Sequence, residues 1–133
     1  MAQKAQVKID YDIAPEMTTI VTDQGKLRQT LFNFIAWAVS RSPAGDSVKV
    51  TADIDEQNFV SIKVVDNGER RIDLESVFDP EHGAPNHQPN INELGIIIGR
   101  KLLELLGGTV TLENLVPRGL QAIIQIPARP LKG

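Results

Sequence analysis

The chain has 133 residues, of which 41% are hydrophobic and 23% are charged, and this is enough for one globular domain with a buried core. The formal net charge of -3 gives no electrostatic reason to expect binding to nucleic acid or to an anionic membrane. The sequence has no cysteine, which excludes disulfides and thiolate metal sites, and no apolar run approaches the roughly 20 residues that span a bilayer.

The chain begins with two predicted strands and a helix. Residues 5–11 alternate between apolar and polar side chains, which indicates a strand with one exposed face, and residues 17–22 form a second short run that we expect to pair with it. Thr22 or Asp23 can cap the helix that follows, which the spacing predicts to run for about 17 residues and to end at 42–45. Its apolar face consists of Leu27, Leu31, Phe34, Ile35, Ala38 and Val39.

A second stripe on this helix contains Asn33, Trp37 and Ser40, which share a side of the helix away from the main apolar face. Asn33 is a polar amide between two phenylalanines, so it is either simply exposed or part of a binding site.

Two further strands are predicted to form an antiparallel hairpin that ends in a candidate site. Residues 48–54 alternate regularly, and residues 59–65 return after a short polar loop and lead directly into Asp66. The adjacent Val64 and Val65 break the alternation, as in a strand covered on both faces. Asp66-Asn67-Gly68 then forms a tight turn, which either places a carboxylate in a pocket or leaves it solvated.

Residues 67–92 have little periodicity and contain Pro80, Pro85 and Pro89, which suggests a functional lid or a mobile loop. Both histidines, His82 and His87, fall in this segment, and with no third ligand nearby we interpret them as solvated side chains and not as a metal site.

The last part of the chain is predicted to contain a helix over residues 93–106, ended by Gly107-Gly108, and strands over 109–113 and 120–126. We expect the buried face of this helix to consist of Leu94, Ile97, Ile98, Leu102, Leu105 and Leu106. The predicted order is therefore β-β-α-β-β-(lid)-α-β-β. It corresponds to an α/β two-layer sandwich, with a mixed, mainly antiparallel sheet and helices on one face.

Four segments in this order resemble the ATP-binding catalytic domain of sensor histidine kinases, a Bergerat-type fold of the superfamily that also includes gyrase, Hsp90 and MutL. The segments are residues 23–33 (Asp-Gln-Gly-Lys-Leu-Arg-Gln-Thr-Leu-Phe-Asn), 64–68 (Val-Val-Asp-Asn-Gly), 76–80 (Ser-Val-Phe-Asp-Pro) and 94–110, which begins Leu-Gly-Ile. The resemblance covers residues 7–127, nearly the whole chain.

The resemblance implies a role for four of these residues. Asp66 would accept a hydrogen bond from the exocyclic amine of adenine, and Gly68 would let the backbone approach the base. Asn33 would face the phosphates and Mg²⁺. Gly95, before the second helix, would free backbone N–H groups near the phosphates, where a helix N-terminus also favours anions.

Several positions depart from the family pattern, mostly in the half of the site that would hold phosphate. Trp37 stands where the family has a second asparagine, and Ser40 stands where a basic residue is common, while Arg41 is rotated by about 100° from that position. Arg70 replaces a glycine, and Glu93 places a carboxylate near the expected triphosphate. We therefore expect a degenerate ATP lid over residues 69–92 and weakened nucleotide binding.

The resemblance implies one domain over residues 1–133, excised from a longer protein, that supplies ATP with Mg²⁺ for phosphorylation of a histidine on a separate dimerisation domain. That domain would lie in cis or in trans, and a response regulator or receiver domain would follow it in the pathway. We expect a cytoplasmic location within a parent protein that can itself be membrane-anchored, with no direct membrane contact and no nucleic acid partner. The alternatives are a degenerate docking or regulatory module that binds little or no ATP, and a free-standing serine kinase of the anti-sigma type.

Overall fold

The computed structural model describes residues 7–13, 24–54, 59–69, 72–74, 77–78 and 91–127. The elements in these ranges are β1 (Lys8–Ile13), α1 (Gln24–Arg41), β2 (Ser47–Ile54), β3 (Phe59–Asp66), α2 (Ile91–Leu105), β4 (Thr109–Asn114) and β5 (Leu120–Pro127). The strands form one sheet in the order β1-β2-β3-β5-β4, in which β1 pairs parallel with β2 and all other pairs are antiparallel. This confirms the predicted mixed, mainly antiparallel sheet and its hairpin of β2 and β3. The strand predicted over residues 17–22 lies outside the described residues.

The sheet buries one face against the two helices, and its other face is open as far as the described residues go. On β2, Val48, Val50 and Ala52 are buried, whereas Lys49 and Asp53 are exposed, as predicted. Burial alternates in the same way along β3 and β5. Among the described residues the adjacent valines of β3 are not covered equally, because successive side chains point to opposite faces: Val64 is buried and Val65 is partly exposed.

Helix α1 packs across the sheet with Phe34, Trp37, Ala38 and Val39 buried to 4% exposure or less. Trp37 is therefore part of the core, although the sequence placed it away from the main apolar face. The helix ends at Arg41, where the buried Ser42 hydroxyl donates to the Ala38 carbonyl at 2.8 Å and so satisfies an acceptor of the last turn. The chain then enters β2.

Helix α2 begins at Ile91, two residues earlier than predicted, and it buries a different face from the one expected. Ile96, Gly99 and Leu103 are buried, whereas Leu94, Ile98 and Leu105 are 42%, 54% and 71% exposed. The reason is the approach of the two helices at Gly99, where a β-carbon would lie only 3.1 Å from the Phe34 ring. Within the described ranges, neither helix combines the length and the apolar character that crossing a membrane requires.

Candidate functional site

The turn that follows β3 is built around the Asp66 carboxylate, whose side chain is 1% exposed. Its Oδ1 atom accepts a hydrogen bond from the backbone N–H of Gly68 at 2.8 Å, which closes the turn. The Gly68 carbonyl in turn accepts the N–H of Gly119 at 2.9 Å. Gly119 has a φ of +104°, and a β-carbon there would lie 2.5 Å from the Asp66 carbonyl oxygen, so this close approach requires glycine. The loop before β5 therefore holds the Asp66 turn in place.

Polar side chains hold the outer side of the same turn. The Asn67 side-chain amide donates to Asp46 Oδ1 at 3.1 Å. Arg118 bridges Asp46 and Glu69, with a distance of 3.1 Å to each carboxylate. These groups are partly exposed, so each ion pair adds little to stability, but together they define the orientation of the turn.

The sequence prediction missed a direct partner of Asp66. Arg41, the last residue of α1, donates from Nε to Asp66 Oδ2 at 2.9 Å and from Nη2 to Asp66 Oδ1 at 3.3 Å. The Arg41 side chain is only 4% exposed, and its guanidinium lies 5.6 Å from the centre of the Trp37 ring. The spacing in the sequence could have indicated this partner. Arg41 follows Trp37 by four residues and Asn33 by eight, so all three share one side of the helix.

Gly68 is needed at its position because Arg41 lies against it. A β-carbon at Gly68 would be 2.8 Å from the Arg41 carbonyl oxygen and 3.0 Å from Nη2. Gly68 is thus brought next to Asp66, as predicted from the sequence, and its missing side chain leaves room for Arg41.

A cavity of about 840 Å³ lies between α1 and the start of α2. Asn33 is 8% exposed in its wall, and its Oδ1 atom accepts a hydrogen bond from Gln29 Nε2 at 3.0 Å. Gly95 lies next to it, because a β-carbon at Gly95 would be 3.7 Å from the Asn33 amide group. The structure therefore brings Asn33, Ser40 and Gly95 to one cavity. Its lining residues are Gln29, Phe32, Asn33, Ala36, Val39, Ser40, Ile91, Asn92, Leu94, Gly95 and Ile98.

The cavity has an uncharged lining and receives its electrostatic character from the backbone of α2. None of the described residues that line it is acidic or basic, and Glu93, although in the first turn of α2, is not among them. Because α2 begins at Ile91, the N–H groups of residues 91–93 have no acceptor within the helix, and Gly95 is its fifth residue and does not precede it. A helix N-terminus of this kind favours an anion.

Of the remaining predicted positions, some lie at the cavity, some lie in the core and others fall outside the described residues. Ser40 is exposed and donates its hydroxyl to the Trp37 carbonyl at 2.6 Å, so it supplies no cation. Phe78, from the segment predicted as a lid, packs edge-on against Phe34 at 6.4 Å and lies 4.9 Å from the Arg100 guanidinium. Arg70 and both histidines lie outside the described residues.

Comparison with known proteins gives matches over most of this chain. The family model described as histidine kinase-, DNA gyrase B-, and HSP90-like ATPase matches residues 22–130. The adaptive-response sensory kinase SasA of Synechococcus sp. (strain JA-3-3Ab) is 24% identical over 98% of this chain and 36% of its own length. The autoinducer 2 sensor kinase/phosphatase LuxQ of Vibrio vulnificus (strain YJ016) is 32% identical over 80% of this chain and 13% of its own length.

Solved structures with the same fold include histidine kinases. The catalytic domain of histidine kinase ThkA superposes with a TM-score of 0.78 at 23% identity, covering 97% of this chain and 84% of the other. Full-length ShkA in complex with AMPPNP gives a TM-score of 0.78 at 25% identity, covering 99% of this chain and 28% of the other. The chain spans about a third or less of the curated relatives that it matches. The chain therefore belongs to the family of histidine kinase-, DNA gyrase B- and HSP90-like ATPases.

Proposed function

We propose that this chain binds ATP between α1 and α2 and presents its γ-phosphate to a histidine on a separate dimerisation domain. The observation that carries this proposal is the geometry of α1, which presents Asn33 to the uncharged cavity and reaches the Asp66 turn at its other end. Asn33 and Arg41 are eight residues apart, which is about 12 Å along a helix axis. This length suits a nucleotide that lies along the helix, with its base at the Asp66 turn and its phosphates at α2.

The proposed roles follow from the chemistry of each group. Asp66 carries the acceptor that the exocyclic amine of adenine needs, and Gly68 adds no side chain of its own beside it, where the Arg41 guanidinium lies in the free domain. The N–H groups at the start of α2 are the donors available to phosphate oxygens. Phosphoryl transfer depends on positioning and electrostatic stabilisation, so the domain requires no nucleophile of its own.

Asn33 fits as one ligand of Mg²⁺, because an amide oxygen is a ligand type that this ion accepts and Gly95 leaves space beside it. No carboxylate is found among the described lining residues, so the phosphates and water would supply the other ligands. Bound Mg²⁺ would neutralise charge on the phosphates. Within this chain, Asn33 Oδ1 accepts one hydrogen bond from Gln29, and its second lone pair would bind the ion.

The partners that we propose are a histidine-bearing dimerisation domain, in the same protein or in another, and a response regulator that takes the phosphoryl group from it. Relatives such as SasA and LuxQ are named as sensory kinases and are much longer than this chain. We propose that the domain works in the cytoplasm as part of such a longer protein.

Titration calorimetry with ATP and a nonhydrolysable analogue, with and without Mg²⁺, tests the proposal. We expect binding that strengthens with Mg²⁺, and we expect Asn33→Ala to weaken it by about tenfold in the presence of Mg²⁺ and by less in its absence, because only the first condition uses Asn33 as a ligand. Gln125→Ala is the matched control, since this amide lies on β5 and points to the open face of the sheet. If millimolar ATP gives no heat and no change in the NMR spectrum, the docking or regulatory alternative replaces this proposal.

A further inference from the structure

The acceptor assigned to the nucleotide base is already occupied within this chain. The Asp66 carboxylate accepts hydrogen bonds from Arg41 Nε at 2.9 Å, from Arg41 Nη2 at 3.3 Å and from the Gly68 N–H at 2.8 Å. Its side chain is 1% exposed, so no acceptor site of this carboxylate faces solvent. A nucleotide base can therefore bind to the Asp66 carboxylate only after Arg41 has moved away from it.

An adenine amine is a weak competitor for a carboxylate held in this way. The two hydrogen bonds from Arg41 join a cation to an anion, and such bonds are about twice as strong as those between neutral groups. The amine is neutral and would offer a single N–H group to Asp66. One hydrogen bond from adenine consequently cannot replace the two hydrogen bonds from Arg41 to Asp66. The Arg41–Asp66 pair must open in a separate step.

The surroundings of Arg41 hold the guanidinium in this position. Trp37, one helical turn earlier, lies 5.6 Å from it, and the absent side chain of Gly68 leaves the space that Nη2 and the Arg41 carbonyl occupy. The cavity follows α1 as far as Ser40 and stops there, and Asp66 is not among its lining residues. Arg41 is the next residue of α1 after Ser40, and its guanidinium covers the Asp66 carboxylate.

We propose that Arg41 controls access to the base site, so that the Arg41–Asp66 pair is closed in the free domain and a nucleotide binds only to the fraction of molecules in which it is open. This inference rests on the proposed function, because it concerns the same ATP site. Minor states of proteins commonly hold about 0.1–10% of the population, and the apparent affinity falls by that fraction. The pair therefore lowers affinity for the base by at least about tenfold.

The first test measures adenosine binding by NMR titration of the wild-type chain and of Arg41→Ala. Adenosine is chosen because it carries no phosphate, so the loss of a positive charge does not itself weaken its binding. We expect Arg41→Ala to bind adenosine at least about tenfold more tightly than the wild type. Arg28→Ala is the matched control, since Arg28 is an exposed arginine on the same helix, and its affinity should equal that of the wild type. An unchanged or weaker affinity in folded Arg41→Ala overturns the proposal.

Loss of Arg41 leaves a buried carboxylate without its cation, so the variant can fail to fold. The second test therefore uses only the wild type and follows the Arg41 Nε–H resonance as ATP is added with Mg²⁺. We expect this resonance to shift and to exchange faster with solvent as the site fills, because the pair has opened. If ATP saturates the domain and the resonance does not change, the access role is wrong while the proposed function stands. If neither ATP nor adenosine binds to any folded form, the proposed function fails and the inference fails with it.

Discussion

Asp66 is both a structural residue and the candidate acceptor for a base, because it binds Arg41 and closes its own turn through Gly68. Replacing the Asp66 carboxylate by a neutral group breaks its buried pair with Arg41, and breaking a buried pair in this way typically costs about 3–5 kcal/mol. Loss of nucleotide binding in Asp66→Asn would therefore report on folding as much as on recognition. Substitution of Asn33, which belongs to no ion pair, separates these two effects better.

The two glycines predicted for the site should respond differently to the addition of a methyl group. Gly68→Ala places a β-carbon 2.8 Å from the Arg41 carbonyl oxygen, so we expect it to lower the free energy of unfolding by about 1–3 kcal/mol. Gly95→Ala has its nearest contact at 3.7 Å and lies within α2, so we expect a gain of about 0.5–1 kcal/mol from helix propensity. Urea denaturation of both variants measures these changes. Equal stability of Gly68→Ala and the wild type would contradict the packing described for Arg41.

At the scale of the elements, all seven described helices and strands were predicted from periodicity, but the orientation of α2 was not. Alternation predicted the buried face of β2, and the spacing in α1 predicted the buried Phe34, Ala38 and Val39 but not Trp37. α2 has three consecutive isoleucines, Ile96, Ile97 and Ile98, which point in directions about 100° apart around the helix, and this leaves its rotation undetermined. The contact between Gly99 and Phe34 fixes the rotation, and it joins residues far apart in the chain.

Two leucines of α2 test this orientation directly. Leu103 is fully buried, so Leu103→Ala should lower the free energy of unfolding by about 2–5 kcal/mol. Leu105 is 71% exposed, and Leu105→Ala should change the free energy of unfolding by no more than about 0.5 kcal/mol. Denaturant unfolding followed by circular dichroism gives both values. A larger loss of stability for Leu105→Ala than for Leu103→Ala would mean that α2 buries the face predicted from the sequence.

At the scale of the whole molecule, the sheet connects the site to the rest of the fold. β3 lies at its centre between β2 and β5, and Asp66 at its end pairs with Leu120 at the start of β5. The sequence predicted the strands and the turn at Asp66, but it could not predict that Gly119 would close over that turn. Such a contact depends on the strand order, which periodicity within each strand does not determine.

The strand order also predicts how stability is distributed over the sheet. β3 and β5 are hydrogen-bonded on both sides, whereas within the described sheet β1 and β4 each have one neighbour. We expect the paired backbone N–H groups of β1 and β4 to exchange with deuterium at least about tenfold faster than those of β3 and β5, because edge strands open locally at lower free energy. Native-state exchange read by NMR measures this difference. Protection of β1 equal to that of β3 would mean that the sheet opens as one unit.

Trp37 gives the molecule an intrinsic optical probe. It is the single tryptophan of the chain, it is buried, and its ring lies beside the guanidinium that binds Asp66. The fluorescence of an indole depends on whether a cation lies beside it. Movement of Arg41 away from Trp37 should therefore change the tryptophan emission of the protein. Stopped-flow fluorescence of the unlabelled protein can thus time the opening of the pair and separate it from the arrival of the nucleotide.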